Sequence, residues 1–155
     1  EAMTVACALY PVPPFHGGGR REIVRRPKVY GFDTGFVCFV RGWREIRDDD
    51  RGVLWEHLVL DVLRTATRGE GLGYWRDKSD REIDFVVRKG RAVHTIECKF
   101  NPGRFDPDAL ATFRALYPRG RNYLVCPGVD EPYDRRVGTL VVRTVGCQHL
   151  LQDLS

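Results

Sequence analysis

Four side chains in the middle of the chain, Glu56, Asp84, Glu97 and Lys99, have the types and spacing to handle a phosphate with the help of a hard cation. Two or three carboxylates converging on one point suit Mg2+ or Mn2+, because such an ion prefers oxygen ligands and keeps several waters free for chemistry. A bound cation lowers the pKa of its water and stabilises charge on a phosphate under in-line attack, while a neighbouring ammonium orients the water or neutralises developing charge. Phosphodiester hydrolysis is the reaction class that this set implies. Glu97-Cys98-Lys99 alone is a weak signal, since alternating Glu and Lys is common on solvated strand faces. The weight rests on a helix acid, then Asp84, then Glu97 and Lys99 in matching register.

The elements that must hold them can be read from periodicity. A helix is expected over 52–67, with Asp48, Asp49 and Asp50 before it at the positive end of its dipole. Glu56 falls on the stripe of Val53, Leu60 and Leu63, so its carboxylate aims toward the core. An ionised Glu56 buried without partners is costly, so it should meet a metal, a cation or hydrogen bonds. A structural Lys or Arg holding Glu56 is the alternative. His57, Asp61, Arg64 and Arg68 make the polar face, with Asp61 and Arg64 an ordinary exposed pair.

Strands are expected over 82–88 and 91–100 around a Lys89-Gly90 turn. Alternation puts Ile83, Phe85 and Val87 on one face, Glu82, Asp84 and Val86 on the other, and groups Val93, Thr95, Glu97 and Lys99. A two-residue turn at 89 and 90 would set Asp84 opposite Thr95 and Glu82 opposite Glu97. Asp84 and Glu97 would then be diagonal neighbours able to grip one cation, and the facing pair Glu82 and Glu97 would repel without one. Glu82 is therefore a further candidate metal ligand beside Glu56, Asp84 and Glu97.

Elsewhere, an apolar stretch ends in Pro11-Val12-Pro13-Pro14, and Gly17-Gly18-Gly19 links to a basic segment. Expected next are a strand over 28–32, a short helix over 36–40 capped by Asp33 or Thr34 and ended by Gly42, a strand over 72–75 and a turn over 77–80. Pro102-Gly103 breaks the chain before a helix over 106–117, strands over 122–126 and 139–142, and a terminal helix through Leu150, Leu151 and Leu154. The order helix, three strands, helix, strand implies a mixed sheet with helices against it. One domain is expected over 1–155, with 1–50 as an N-terminal extension, 51–126 as the core and 127–155 as a C-terminal strand and helix.

The composition is that of a globular chain: 155 residues, 43% hydrophobic and 30% charged. The net charge of +4 permits a nucleic-acid partner without demanding one. Basic residues cluster at Arg20, Arg21, Arg25, Arg26 and Lys28, at Arg76, Lys78 and Arg81, and at Arg114, Arg119 and Arg121; a solvated surface explains each cluster equally well. Arg76, Lys78, Arg81 and Arg104 are the candidates for contacting nucleic acid. Cys7, Cys38, Cys98, Cys126 and Cys147 lack the spacing of a zinc site or a disulfide framework and suit a reducing cytoplasm, the expected location. Cys98 and Cys126 are expected in the core. His16, His57, His94 and His149 are scattered and read as surface or packing residues, with His57 and His94 opposite the acids. No phosphate-binding loop, membrane span or signal peptide is legible.

This constellation and element order resemble the PD-(D/E)XK nuclease superfamily, with Asp84, Glu97 and Lys99 at its signature positions and Glu56 as the preceding helix acid. A longer resemblance runs through Arg21-Glu22-Ile23-Val24, Pro27-Lys28-Val29-Tyr30-Gly31-Phe32-Asp33-Thr34-Gly35, Leu54-Trp55-Glu56, Tyr74-Trp75-Arg76 and Glu82-Ile83-Asp84-Phe85. Those segments look like the uncharacterised C-terminal domain of prokaryotic predicted AAA-type ATPases. The resemblance implies a restriction-endonuclease-like α/β core, a Mg2+- or Mn2+-dependent nuclease acting on DNA more than RNA, and an ATPase module in cis or in trans. A second copy of the chain is a further candidate partner. The other reading is a catalytically inactive nuclease-like domain that binds nucleic acid or a partner beside such an ATPase.

Overall fold

The computed structural model describes residues 8–17 and 26–155. Cys7, Arg20, Arg21, Arg25, Gly18, Gly19 and the segment 21–24 lie outside them. Strands β1 (Leu9–Val12) and β2 (Lys28–Gly31) form a small antiparallel pair. Helices α1 (Thr34–Arg41) and α2 (Asp48–Thr67) follow, then strands β3 (Leu72–Arg76), β4 (Glu82–Lys89) and β5 (Ala92–Cys98). A 3-10 turn (Pro102–Arg104) leads into helix α3 (Asp108–Leu116), strands β6 (Asn122–Val125), β7 (Tyr133–Val137) and β8 (Leu140–Val145), and helix α4 (Cys147–Leu154). Six strands form one mixed sheet in the order β3-β4-β5-β6-β8-β7, with β5, β6 and β8 parallel to one another and the outer pairs antiparallel.

The expected element order is observed, with two additions. Strand β1 sits in the stretch read only as apolar, and β7 pairs with β8 through a tight turn at Gly138. Asp33 caps α1 as expected, accepting the Phe36 N–H at 2.8 Å, and Gly42 ends it in the left-handed conformation. Helix α2 begins earlier than expected, at Asp48, because the Asp50 carboxylate accepts the Arg47 N–H at 3.1 Å and closes the first turn.

Each face of the sheet buries its own apolar layer. Val59, Leu60 and Leu63 of α2, with Leu150 and Leu154 of α4, cover Phe85, Val87, Ile96, Tyr123 and Val125. Leu110 and Phe113 of α3 cover Trp75, Ile83, Val86, Leu124 and Cys126 on the other side. Cys98 and Cys126 are both core residues, as expected. The β1–β2 pair joins the α2 side, burying Val12 and Tyr30, and the chain after β1 runs along β3, where Phe15 N–H donates to the Tyr74 carbonyl at 2.6 Å.

Arg114 does not lie on a basic surface. On the Leu110 and Phe113 face of α3 it is buried, and its guanidinium donates to the carbonyls of Val93 (2.9 Å), Tyr117 (3.0 Å) and Arg121 (2.8 Å) and to Asn122 Oδ1 (2.5 Å). It ties the loop after α3 to the start of β6 and to β5. Arg114→Ala leaves several buried carbonyls unpaired at ~1–3 kcal/mol each. The expected loss is at least ~3 kcal/mol of unfolding free energy, measured by urea denaturation.

Candidate active site

The hairpin register differs from the expected one, and the difference improves the site. Phe85 pairs with Ile96 and Lys89 with Ala92, so the turn residues are Gly90 and Arg91. Gly90 has φ 59° and Arg91 is not among the described residues with positive φ. A turn that needs positive φ at its first central position takes Gly there, whereas a turn centred on 89 and 90 would force Lys89 into that region. Each partner moves by two residues, so the strand faces are kept. Continuing this register sets Asp84 level with Glu97, and Glu82 level with Lys99. The expected repulsion between Glu82 and Glu97 across the hairpin is therefore corrected: they do not face each other.

The expected alternation along β4 also fails, for a local reason. Gly73 pairs with Val86 but Trp75 pairs with Ile83, so three steps of β4 stand against two of β3. The extra residue is a bulge at Asp84 and Phe85. It sends Ile83 to the α3 side and Phe85 to the α2 side, although the two are separated by two positions. Beyond Phe85 the Asp84 side chain takes over from the ladder, its Oδ2 accepting the Cys98 N–H at 2.8 Å.

Asp84, Glu97 and Lys99 meet there. Lys99 Nζ donates to Glu97 Oε2 at 3.0 Å and to Asp84 Oδ2 at 3.4 Å. Glu97 is only 5% exposed. Burial and then the Asp84 charge push its carboxyl up to about 8, against the pull of Lys99, and in its protonated form it donates to Asp84. Burial alone would lower Lys99, but Asp84 and Glu97 outweigh it and raise its pKa, so Lys99 stays an ammonium.

Glu56 joins from α2. It is raised above the ordinary carboxylate range by burial and by Asp84, opposed by Lys28 and Tyr30. Both opposing groups come from β2: Lys28 Nζ lies 3.2 Å from Glu56 Oε1, and the Tyr30 hydroxyl makes a short hydrogen bond to the same oxygen. A structural lysine thus holds Glu56, as the alternative reading of the helix had it, while Glu56 still neighbours Asp84. Glu82 is engaged by cations, Lys28 on Oε1 and Arg76 on Oε2, the Arg76 Nε at 2.6 Å. Both of its oxygens are paired with these cations.

His57 is not on a solvated face. Its Nδ1 lies 2.8 Å from the Val53 carbonyl, its Nε2 accepts the Gly31 N–H at 3.3 Å, and its ring packs edge-on against Tyr30. Strand β2 covers it on the way to the acids. Among the nucleic-acid candidates, Arg81 is held by Asp77 (2.8 Å) and Thr112 (2.9 Å), and Arg76 by Glu82. Lys78 is exposed in the turn, and Arg104 lines the cleft that contains the acids. That cleft, about 500 Å³, is bounded by Glu56, Asp84 and Lys99 at its floor and by Arg51, Phe100 and Arg104 nearer its mouth.

Lys28, Tyr30, Arg51 and Phe100 were not among the sequence candidates. Period-two spacing in Lys28-Val29-Tyr30 was the available signal for the first two, since it puts a cation and a hydroxyl on one strand face. Among the described residues no group of three or more His, Cys, Asp or Glu side chains meets in metal-binding geometry. The donor chemistry nevertheless fits a hard divalent ion at Asp84 and Glu97, two adjacent oxygen donors whose mutual repulsion a cation would relieve.

The raised Glu97 gives a stability signature with a definite sign. The folded state holds the Glu97 proton more tightly than the unfolded chain, so this stabilisation is complete below about 4.5 and is lost as pH rises through about 8. Without divalent ions, unfolding free energy should fall across that window by at most ~1.4 kcal/mol per pH unit for this proton. Urea titrations in a pH series should show Glu97→Gln flattening the fall, with a remnant of the same sign from Glu56.

No curated protein matches the chain. A family model described as Domain of unknown function (DUF4143) matches residues 51–144, a span that holds Glu56, Asp84, Glu97 and Lys99 and leaves out β1 and β2. The chain belongs to the DUF4143 family of domains.

Proposed function

We propose that this domain is a metal-dependent nuclease of the PD-(D/E)XK kind, hydrolysing phosphodiester bonds of DNA or RNA, with Mg2+ or Mn2+ as cofactor. The supporting observation is the meeting of Asp84, Glu97 and Lys99 at a bulged strand edge, with Glu56 beside them in an open cleft. Asp84 and Glu97 would hold the ion. When bound, it supplies Lewis-acid stabilisation of a phosphoryl oxygen and a water of lowered pKa.

The remaining work falls to the chain's own groups. Lys99, kept charged by its two acids, neutralises charge that develops on the phosphoryl oxygens. Glu56, whose proton affinity is raised, accepts a proton from the attacking water. Tyr30 and Lys28 fix the Glu56 carboxylate through Oε1 and leave its second oxygen for that task. Arg104, at the cleft, takes a flanking phosphate. An ATPase module in cis or in trans, the arrangement the resemblance implies, would deliver or move the nucleic acid.

One observation favours a second reading. Lysines already neutralise the acids, Lys28 across Glu56 and Glu82 and Lys99 across Asp84 and Glu97. A domain that has lost catalysis and keeps the fold for binding would be stabilised in this way.

Cleavage assays on single-stranded, duplex and branched substrates with Mg2+ or Mn2+ separate the two. Turnover that drops at least ~100-fold in Asp84→Asn and Lys99→Ala supports the nuclease. A well-folded chain inert on all of these substrates transfers the assignment to the binding domain. Metal binding has its own readout, because the ion must displace the Glu97 proton. Mg2+ should raise the melting temperature more at pH 8 than at pH 6, and Asp84→Asn should abolish the increment.

A further inference from the structure

The outer wall of the cleft carries an aromatic ring that the core does not use. Phe100 directly follows Lys99, keeps 43% of its surface exposed, and lies outside both apolar layers. The Arg51 guanidinium sits 5.6 Å from its ring centroid. An exposed phenyl ring one residue from the site lysine, with a guanidinium within cation-π range, is built like the surfaces on which planar bases stack.

Charge and size narrow the ligand. Asp48 and Asp49 line the mouth with Arg51 and Arg104, while Glu56, Asp84 and Lys99 line the floor, so carboxylates outnumber cations. Asp48 also draws Arg51 into an ion pair at 3.3 Å. Net attraction for phosphate is therefore weak, and a nucleic acid needs a contribution that does not depend on charge. Stacking supplies one, and it requires an unstacked base. A cleft of about 500 Å³ has the dimensions of a small-ligand site and not of a groove that cradles a duplex.

We propose that Phe100 is a stacking platform for an unpaired nucleobase, so that this cleft takes single-stranded nucleic acid and leads its phosphate past Arg104 toward Lys99. The proposal rests on the reading that the cleft receives nucleic acid, and it does not require cleavage.

The test is fluorescence anisotropy with the full chain in chelator, using an oligothymidylate, an oligouridylate and a blunt duplex of equal length. A single strand containing 2-aminopurine reports stacking directly by quenching. At least one of the two single strands should bind more tightly than the duplex, and which of them does so separates DNA from RNA. Phe100→Ala should weaken that binding about 5- to 100-fold, the range set by one stacked base, while Phe100→Trp retains both binding and quenching. Single-strand affinity and quenching unchanged in Phe100→Ala would overturn the platform, as would tighter binding of the duplex or no binding of any probe by the wild-type chain. Stacking without cleavage in Mg2+ leaves the platform standing and removes only the nuclease reading; cleavage with binding insensitive to Phe100 does the reverse.

Discussion

Two carboxyl groups and one ammonium, with Glu97 buried and Asp84 and Lys99 opening onto a cleft, meet at the bulged end of a β-hairpin, and much of the surrounding structure follows from keeping them there. Asp84 and Glu97 cannot both be ionised at close range in a low-dielectric site without a compensating cation. Lys99 supplies part of that compensation, and a proton on Glu97 supplies the rest. The arrangement is held by that proton on Glu97 together with the Lys99 ammonium.

The backbone makes this meeting possible by departing from regular sheet geometry. A regular β4 would send Asp84 to the same side as Val86, under α3. The bulge against β3 instead turns Asp84 toward the end of β5, where it accepts the Cys98 N–H and neighbours Lys99 and Glu56. Bulges beside functional sites commonly re-aim a single side chain in this way. The turn chemistry acts with it: because Gly90 takes the positive φ, Phe85 pairs with Ile96, which brings Asp84 to the end of β5 that carries Glu97.

The β1–β2 pair adds a second charge layer around the first. Lys28 links Glu56 on the helix to Glu82 on β4, and Arg76 on β3 closes the other side of Glu82. This layer lies partly outside the span shared with the family, since Lys28 and Tyr30 precede residue 51. It fixes the carboxylate of Glu56 without burying it completely, so the helix acid still opens onto the cleft. Burial, followed by the Asp84 charge, raises Glu56 against the opposing pull of Lys28 and Tyr30.

The sequence alone determined the element order, the N-cap at Asp33, the core thiols Cys98 and Cys126, and the residue types that meet in the site. These are local properties, carried by periodicity, turn chemistry and alternation. Glu56 was legible because an acid interrupted an apolar helical stripe. Tertiary structure decided what those signals do not encode. The bulge at Asp84 depends on how β3 pairs with β4, which no single-strand pattern reports. Glu82 is paired with Lys28 and Arg76, and His57 and Arg114 are drawn inward, because β2 and the loop after α3 cover faces that read as polar in isolation. Whether a charged side chain is a ligand, a structural partner or a surface group is set by which neighbour satisfies it, and that neighbour comes from a distant part of the chain.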